Sequence, residues 1–386
     1  MRGRRALVLP LLVLAGWRAL AADPDWSVQV TPYGQVFPAL ELSQARRQPP
    51  AETGDHVLGG GTGLIGVRVR ARHDGERIAL RIDGPELGGG EFTATLAHAG
   101  VEYQLRPPLD WDVTRLRSIT APRATRLAFA LTRDGADAGA REVAISLRPL
   151  DEALYFVRDG GDSVDLSWIF AAYVDERDPV VDRVLAAALA SGIVARFDAY
   201  AAADTDSVYR QAWAVWHALA ARDIRYSRAD PAIERGPHVF SQRVRFLADT
   251  YADRSANCID GSVLIASVLQ RIGLRSFLVL VPGHAFVGFY TDADGHAAAY
   301  LETTLLGARL APLANPPRFA ADVASDDAAR ASLASFLAAL GAGRARHARV
   351  AAKLDGRHRP DYAVIDIAAA RAFGIRPIGS APSAPP

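Results

Sequence analysis

Between Trp26 and Arg158 the chain alternates apolar and polar residues in short runs. LIGVRVRARHDG, RIALRIDG, FTATLAHAG, RLAFALTRDG and REVAISLRPL each read as a strand closed by Gly, Asp-Gly or Pro. Alternation with a period of two is the signature of half-buried strands, and regular turn signals between them predict a sandwich-like, all-β domain over residues 23–158. Asp74-Gly75 is the expected hairpin turn between the first two of these runs. GTGLIG (Gly61–Gly66) matches a dinucleotide-binding spacing, but an alternating strand follows it instead of a helix, so a nucleotide site is not expected.

From Asp162 the apolar spacing becomes helical, and residues 162–378 are expected to form a second, α+β domain. DPVVDRVLAAALASG places Pro179 at a helix start and Gly192 at its end. DSVYRQAWAVWHALAARD puts Val208, Ala212, Val215 and Leu219 on one face, with Trp213, Trp216 and His217 read as structural. After Cys258, the positions Ile259, Val263, Ala266, Leu269 and Ile272 predict a helix ending near Gly273. The apolar run SFLVLV then suits a central strand. HAFVGFY and HAAAYLETT follow as two more strands, on either side of a TDADG turn. DDAARASLASFLAAL is a further helix and YAVIDI a short strand. The tail at 379–386, GSAPSAPP, has nothing to bury.

Composition adds limits. Half of the residues are apolar and the net charge is +1, so the chain is globular and no nucleic-acid partner is implied. Residues 1–22 read as a secretion signal: a basic MRGRR, an apolar run too short to span a bilayer, and ALA before a polar segment. An exported chain, periplasmic or secreted, without a membrane span in its mature part is the expectation. Export makes the single cysteine informative, because paired thiols come in even numbers. On the count alone, a reactive thiol and a buried apolar one both remain open.

Placement narrows the choice. Cys258 falls at a helix start, where unpaired N–H groups favour a thiolate. Asn257 or Ser255 would cap that turn, while Asp260 would oppose the thiolate. His284 opens the strand after a Pro-Gly turn. An antiparallel register pairing His284 with Glu302 pairs Tyr290 with His296, leaves TDADG as the loop, and sets the carboxylate on the face of the imidazole. Such a carboxylate would fix the ring's tautomer, as the third member of a catalytic triad does. The backbone N–H of Cys258, with Gln242 or Asn257, would form an oxyanion hole.

The text ANCIDGSVLIASVLQRIGL, then PGHAF, then LETT resembles the transglutaminase-like, papain-related superfamily, as an exported bacterial member. The resemblance covers residues 162–304. It implies a papain-like core and thiol acyl transfer on protein or peptide amides, with Cys258 as nucleophile, His284 as base and acid, and Glu302 as orienting carboxylate. The acid is Glu where Asp is commoner, Phe286 replaces the usual Trp, and the Cys-to-His spacing is short. No segment resembles the calcium-binding regions of animal cross-linking enzymes, so no calcium requirement is expected. No cofactor or metal is expected either: His238, His296, His347 and His358 show no ligand spacing. The alternative is a catalytically silent envelope protein that keeps the core as a scaffold and binds an assembly partner through its β domain.

Overall fold

The computed structural model describes residues 25–44, 56–159, 162–227, 233–323 and 326–379. The expected secretion signal over residues 1–22 and the tail from Ser380 lie outside the described residues. The fold is α+β. The described residues form two compact units, one from within Met1–Leu166 with Arg235–Ser241, the other from Ser167–Glu234 with Gln242–Pro386. The first unit's strands therefore run on to Asp165, a little past the Asp162 at which the sequence reading turns to helical spacing. Residues 162–165 are too short a run to show an alternation, yet they pair back on the strand before them.

The first unit contains β1 (Trp26–Val30), β2 (Gln35–Val36), helix α1 (Pro38–Gln44), β3 (Val57–Leu58), β4 (Ile65–Arg70), β5 (Glu76–Asp83), β6 (Glu91–Leu96), β7 (Glu102–Leu105), helix α2 (Val113–Arg117), β8 (Arg123–Arg133), β9 (Ala136–Leu147), β10 (Glu152–Asp159) and β11 (Asp162–Asp165). One sheet has the order β1-β4-β7-β3 and another β2-β9-β8-β5-β6. Alternation does what the sequence implies: Ile78, Leu80 and Ile82 of β5 are buried, while Arg77 and Arg81, on the alternate positions, are exposed.

The Asp74-Gly75 turn does not make a hairpin. β4 pairs with β1 and β7, whereas β5 pairs with β6 and β8, so this turn carries the chain from one sheet to the other. Side chains fasten it in place of a ladder. Arg72 N donates to Glu76 Oε2 at 2.8 Å, and Ala99 N donates to Asp74 Oδ1 at 2.7 Å. The two-residue hairpin is at Asp134-Gly135, between Arg133 and Ala136, and both turn residues have the positive φ that such turns demand (49° and 82°). The GTGLIG segment runs into β4 as a strand. A Cβ on Gly66 would stand 2.5 Å from the Leu105 carbonyl oxygen, so that glycine serves close backbone approach.

The second unit contains α3 (Pro179–Ala190), α4 (Thr205–Ala221), β12 (Arg225–Tyr226), β13 (Ile233–Arg235), β14 (Val239–Arg243), α5 (Leu247–Asp253), β15 (Ser255–Ala256), α6 (Cys258–Arg271), β16 (Ser276–Val281), β17 (His284–Tyr290), β18 (Ala298–Leu301), α7 (Asp327–Val350), β19 (Ala363–Asp366) and α8 (Ile367–Ala372). β13 and the start of β14 cross into the first unit's residues. The antiparallel sheet β18-β17-β16-β19 is its centre, with α6 packed on β16 and β17. The continuous apolar text of β16 follows from its central position, buried on both faces. Val208, Ala212, Val215 and Leu219 of α4 are all buried, as are Trp213 and Trp216. Both indoles find partners on α7: Trp213 Nε1 donates to Ser332 Oγ at 3.0 Å and Trp216 Nε1 to Ser335 Oγ at 2.9 Å. His217 contacts the same Ser332 hydroxyl at 2.8 Å and is structural.

α7 continues past Leu340, where the sequence reading ended it, to Val350. Gly341 and Gly343 do not break the helix, and Gly343 lets it approach β18. A Cβ there would stand 2.3 Å from the Tyr300 carbonyl oxygen, while one on Gly341 meets nothing within 4 Å. Gly343→Ala should therefore destabilise the fold by about 1–3 kcal/mol through overpacking. Gly341→Ala should be neutral or stabilising by up to about 1 kcal/mol, since alanine is the better helix former. Denaturant unfolding of the two variants side by side checks this contrast.

Candidate active site

The site starts with how α6 begins. Asn257 Oδ1 accepts from Ile259 N and Asp260 N, both at 3.0 Å, and the Asp260 carboxylate accepts in return from Asn257 N at 3.3 Å. This reciprocal cap satisfies the first helical donors and sets Cys258 at the first helical position. Asp260 is also held by Arg245, whose N and Nε donate to it at 2.9 and 3.0 Å. Burial raises the Asp260 carboxyl above its ordinary value, against the pull of Arg245 and of the Asn257 N–H. A guanidinium therefore faces the acid that the sequence sets against the thiolate.

The carbonyl of Cys258 accepts from Ser262 Oγ at 2.6 Å and from Thr303 Oγ1 at 3.2 Å. The second bond ties the start of α6 to the turn after β18. The thiol itself is half-buried.

His284 follows the two-residue Pro282-Gly283 turn, in which Gly283 has φ +70°. The β17–β18 register differs from the sequence expectation. Tyr290 faces Ala298, not His296, and Val287 faces Leu301. The loop is longer because Asp292 organises it: its carboxylate accepts from His296 N at 2.8 Å and Ala297 N at 2.7 Å, and Thr291 N donates to Ala297 O at 2.9 Å. His296 is thus an exposed loop residue. The pairing is displaced by two residues, and a shift of two returns every side chain to the same face. Glu302 lies diagonally from His284, and the extra methylene of glutamate spans that diagonal.

The outcome is a close contact. His284 Nε2 lies 3.0 Å from Glu302 Oε1 and 2.9 Å from Oε2. Glu302 is 2% exposed. It caps the short 3-10 turn Thr303–Leu305, with Thr304 N donating to Oε1 at 3.3 Å. Arg346 Nε donates to Oε2 at 2.8 Å.

With Nε2 facing the carboxylate, Nδ1 is the ring nitrogen left for Cys258. Burial by itself would pull the imidazole down. The Cys258 side chain beside the ring, then the Glu302 carboxylate and the charges of both groups, outweigh it and raise His284 to about 9. Burial by itself would raise Glu302. His284, Arg346 and the Thr304 N–H outweigh it and lower the carboxyl to about 2.

Of the residues singled out from sequence, Cys258, His284 and Glu302 come together. Asn257 spends its carbonyl oxygen on the cap. No hydrogen bond among the described residues joins Gln242, on β14, to these three. Sequence reasoning missed Arg245, Thr303 and Arg346. Arg346 had a signal: Gly343, Arg346 and His347 share one helix face if the helix runs through the glycines. Elsewhere among the described residues, ligand-type atoms of His73, Glu76 and Asp134 lie within 4.8 Å of one another. Arg133 Nη1 already pairs with Glu76 at 2.8 Å, and His73 Nε2 with Asp134 at 2.7 Å. Among the described residues, no helix is long and apolar enough to cross a membrane. No protein-family model and no curated protein matches the chain.

The pair ties stability to pH in two opposite senses. His284 is raised on folding, so its contribution is complete below its unfolded value of 6.5 and is lost as pH climbs through about 9. Glu302 is lowered, so its contribution is complete above 4.5 and is lost as pH falls through about 2. The stability gap between the native chain and Glu302→Gln should be widest between those two unfolded values. It should shrink toward both limits, as read from denaturant midpoints across pH. Nuclear magnetic resonance titration should place the His284 midpoint near 9 in the native chain and at least about one unit lower in Glu302→Gln.

Proposed function

We propose that the chain is an exported, thiol-dependent acyl-transfer enzyme of the transglutaminase-like kind, acting on protein or peptide amides through Cys258, His284 and Glu302. The observation that carries this reading is the imidazole paired through Nε2 with a buried carboxylate, with Cys258 beside it at a helix start. That is the arrangement a thiol nucleophile requires, with a base beside it and a third group orienting the base. A sandwich-like first domain would present the substrate or an envelope partner, and the N-terminal signal would direct the chain to the periplasm or outside the cell.

The chemistry follows from the atoms in place. The reactive form is the thiolate, and an imidazolium is its counter-ion. The sulfur attacks the amide carbonyl and a C–S bond forms. The C–N bond breaks as His284 passes the Nδ1 proton to the leaving amine. Water, deprotonated by the now neutral imidazole, attacks the thioester. The C–S bond breaks, the acid leaves and the thiol is restored. An amine in place of that water gives transamidation. Glu302 stays ionised throughout and stabilises each imidazolium. The Cys258 N–H, first in α6, would donate to the oxyanion of each tetrahedral intermediate, with a side-chain amide from Gln242 or Asn257 as second donor.

Iodoacetamide tests the reading without a known substrate. Cys258 should be alkylated at neutral pH at least about tenfold faster than free cysteine, and His284→Ala should remove that advantage. A thiol no faster than free cysteine in both proteins would favour the silent, partner-binding alternative.

A further inference from the structure

One face of α7 docks on the end of β18 and delivers a guanidinium to Glu302. Ala339 O, inside the helix, accepts from Glu302 N at 3.1 Å. Gly343 lies against the Tyr300 backbone with no room for a side chain. His347 stacks on the Tyr300 ring at 3.8 Å with 13° between planes. Arg346 Nε reaches Glu302 Oε2 at 2.8 Å. Gly343 follows Ala339 by four residues, and Arg346 and His347 follow Gly343 by three and four, so all four share one helix face and their contacts work as a unit.

The result fixes where the guanidinium sits, and the carboxylate needs it there. A glutamate has one more rotatable bond than the aspartate commoner at this position in the resembling superfamily, and here it reaches its histidine along a diagonal. Its Oε2 is shared by His284 Nε2 and Arg346 Nε, while Oε1 is shared by Nε2 and the Thr304 N–H. Without Arg346, Oε2 loses its only partner among the described residues besides the imidazole.

We infer that Arg346 is a positioning residue for the proposed acyl-transfer site: it locks the Glu302 carboxylate in the orientation that turns His284 Nε2 inward and Nδ1 toward Cys258. The inference rests on the acyl-transfer reading. Arg346 acts through Glu302 and not on the reacting atoms. Its bond could instead serve only to tie α7 to the sheet, and that simpler role makes different predictions.

The test compares iodoacetamide alkylation of Cys258 at neutral pH in the full chain and its variants. Arg346→Met should slow the reaction about tenfold, Arg346→Lys should stay within about threefold of the native rate, and Arg349→Met, one turn on and exposed, should leave it unchanged. The proton between His284 Nε2 and Glu302 should give a slowly exchanging nuclear magnetic resonance signal in the native chain and in Arg346→Lys, and none in Arg346→Met. Arg346→Gln keeps a donor without the charge and carries the same test if the methionine variant does not fold. An Arg346→Met or Arg346→Gln protein with the native alkylation rate and the native signal overturns the inference and leaves the acyl-transfer reading standing. A native Cys258 no faster than free cysteine, unaffected by His284→Ala, overturns both.

Discussion

A carboxylate taken out of water must be surrounded by donors, and the site depends on how Glu302 meets that demand. Burying a charge costs several kcal/mol unless it is paired and hydrogen-bonded. The imidazole of His284, the guanidinium of Arg346 and the N–H of Thr304 together occupy both oxygens. Each donor comes from a different element, so the need of one side chain couples β17, α7 and the turn after β18. The neighbouring Thr303 adds a fourth element by donating to the Cys258 carbonyl, which fixes the start of α6.

Charge is arranged in the same way on the sulfur side. Asp260 lies in the first turn of the helix that carries the thiol, where a free carboxylate would work against a thiolate. Its oxygens are instead used by the cap at Asn257 and by Arg245. Two acids near the thiol are thus each matched by an arginine, Asp260 by Arg245 and Glu302 by Arg346. On the proposed reading, the imidazole is left as the cation for the sulfur. In the proposed cycle that cation is present at the first step, is consumed at amine departure and forms again as water attacks.

The local parts of this arrangement could be read from the sequence because short-range rules govern them. Asn257 before an apolar helix, a Pro-Gly turn before His284 and a fully apolar run at Ser276–Val281 are local patterns, and helix α6 and strands β16 and β17 follow them. The β17–β18 register was not legible in full, because the Asp292 carboxylate closes a longer loop than the five-residue TDADG suggests. The face of Glu302 survived that error because a shift of two preserves it. Arg346 was hidden for a different reason. The helix read from the sequence stops at Leu340, just before Gly341 and Gly343. Glycine is a poor helix former, but at Gly343 close packing on Tyr300 needs a missing Cβ. The Asp74-Gly75 turn failed as a hairpin because turn chemistry is local, whereas the choice of partner strand is made by the whole sheet.

The central claim is that Cys258 accepts an acyl group with His284 as its proton partner, and a chemically general acyl donor tests it most directly. The full chain is mixed with p-nitrophenyl acetate at neutral pH, quenched in acid and mapped by mass spectrometry. The account predicts acetyl on Cys258, removable by neutral hydroxylamine as a thioester is, and formed far more slowly in His284→Ala. Acetylation confined to other sites, such as the exposed Lys353, with Cys258 unmodified, would contradict it.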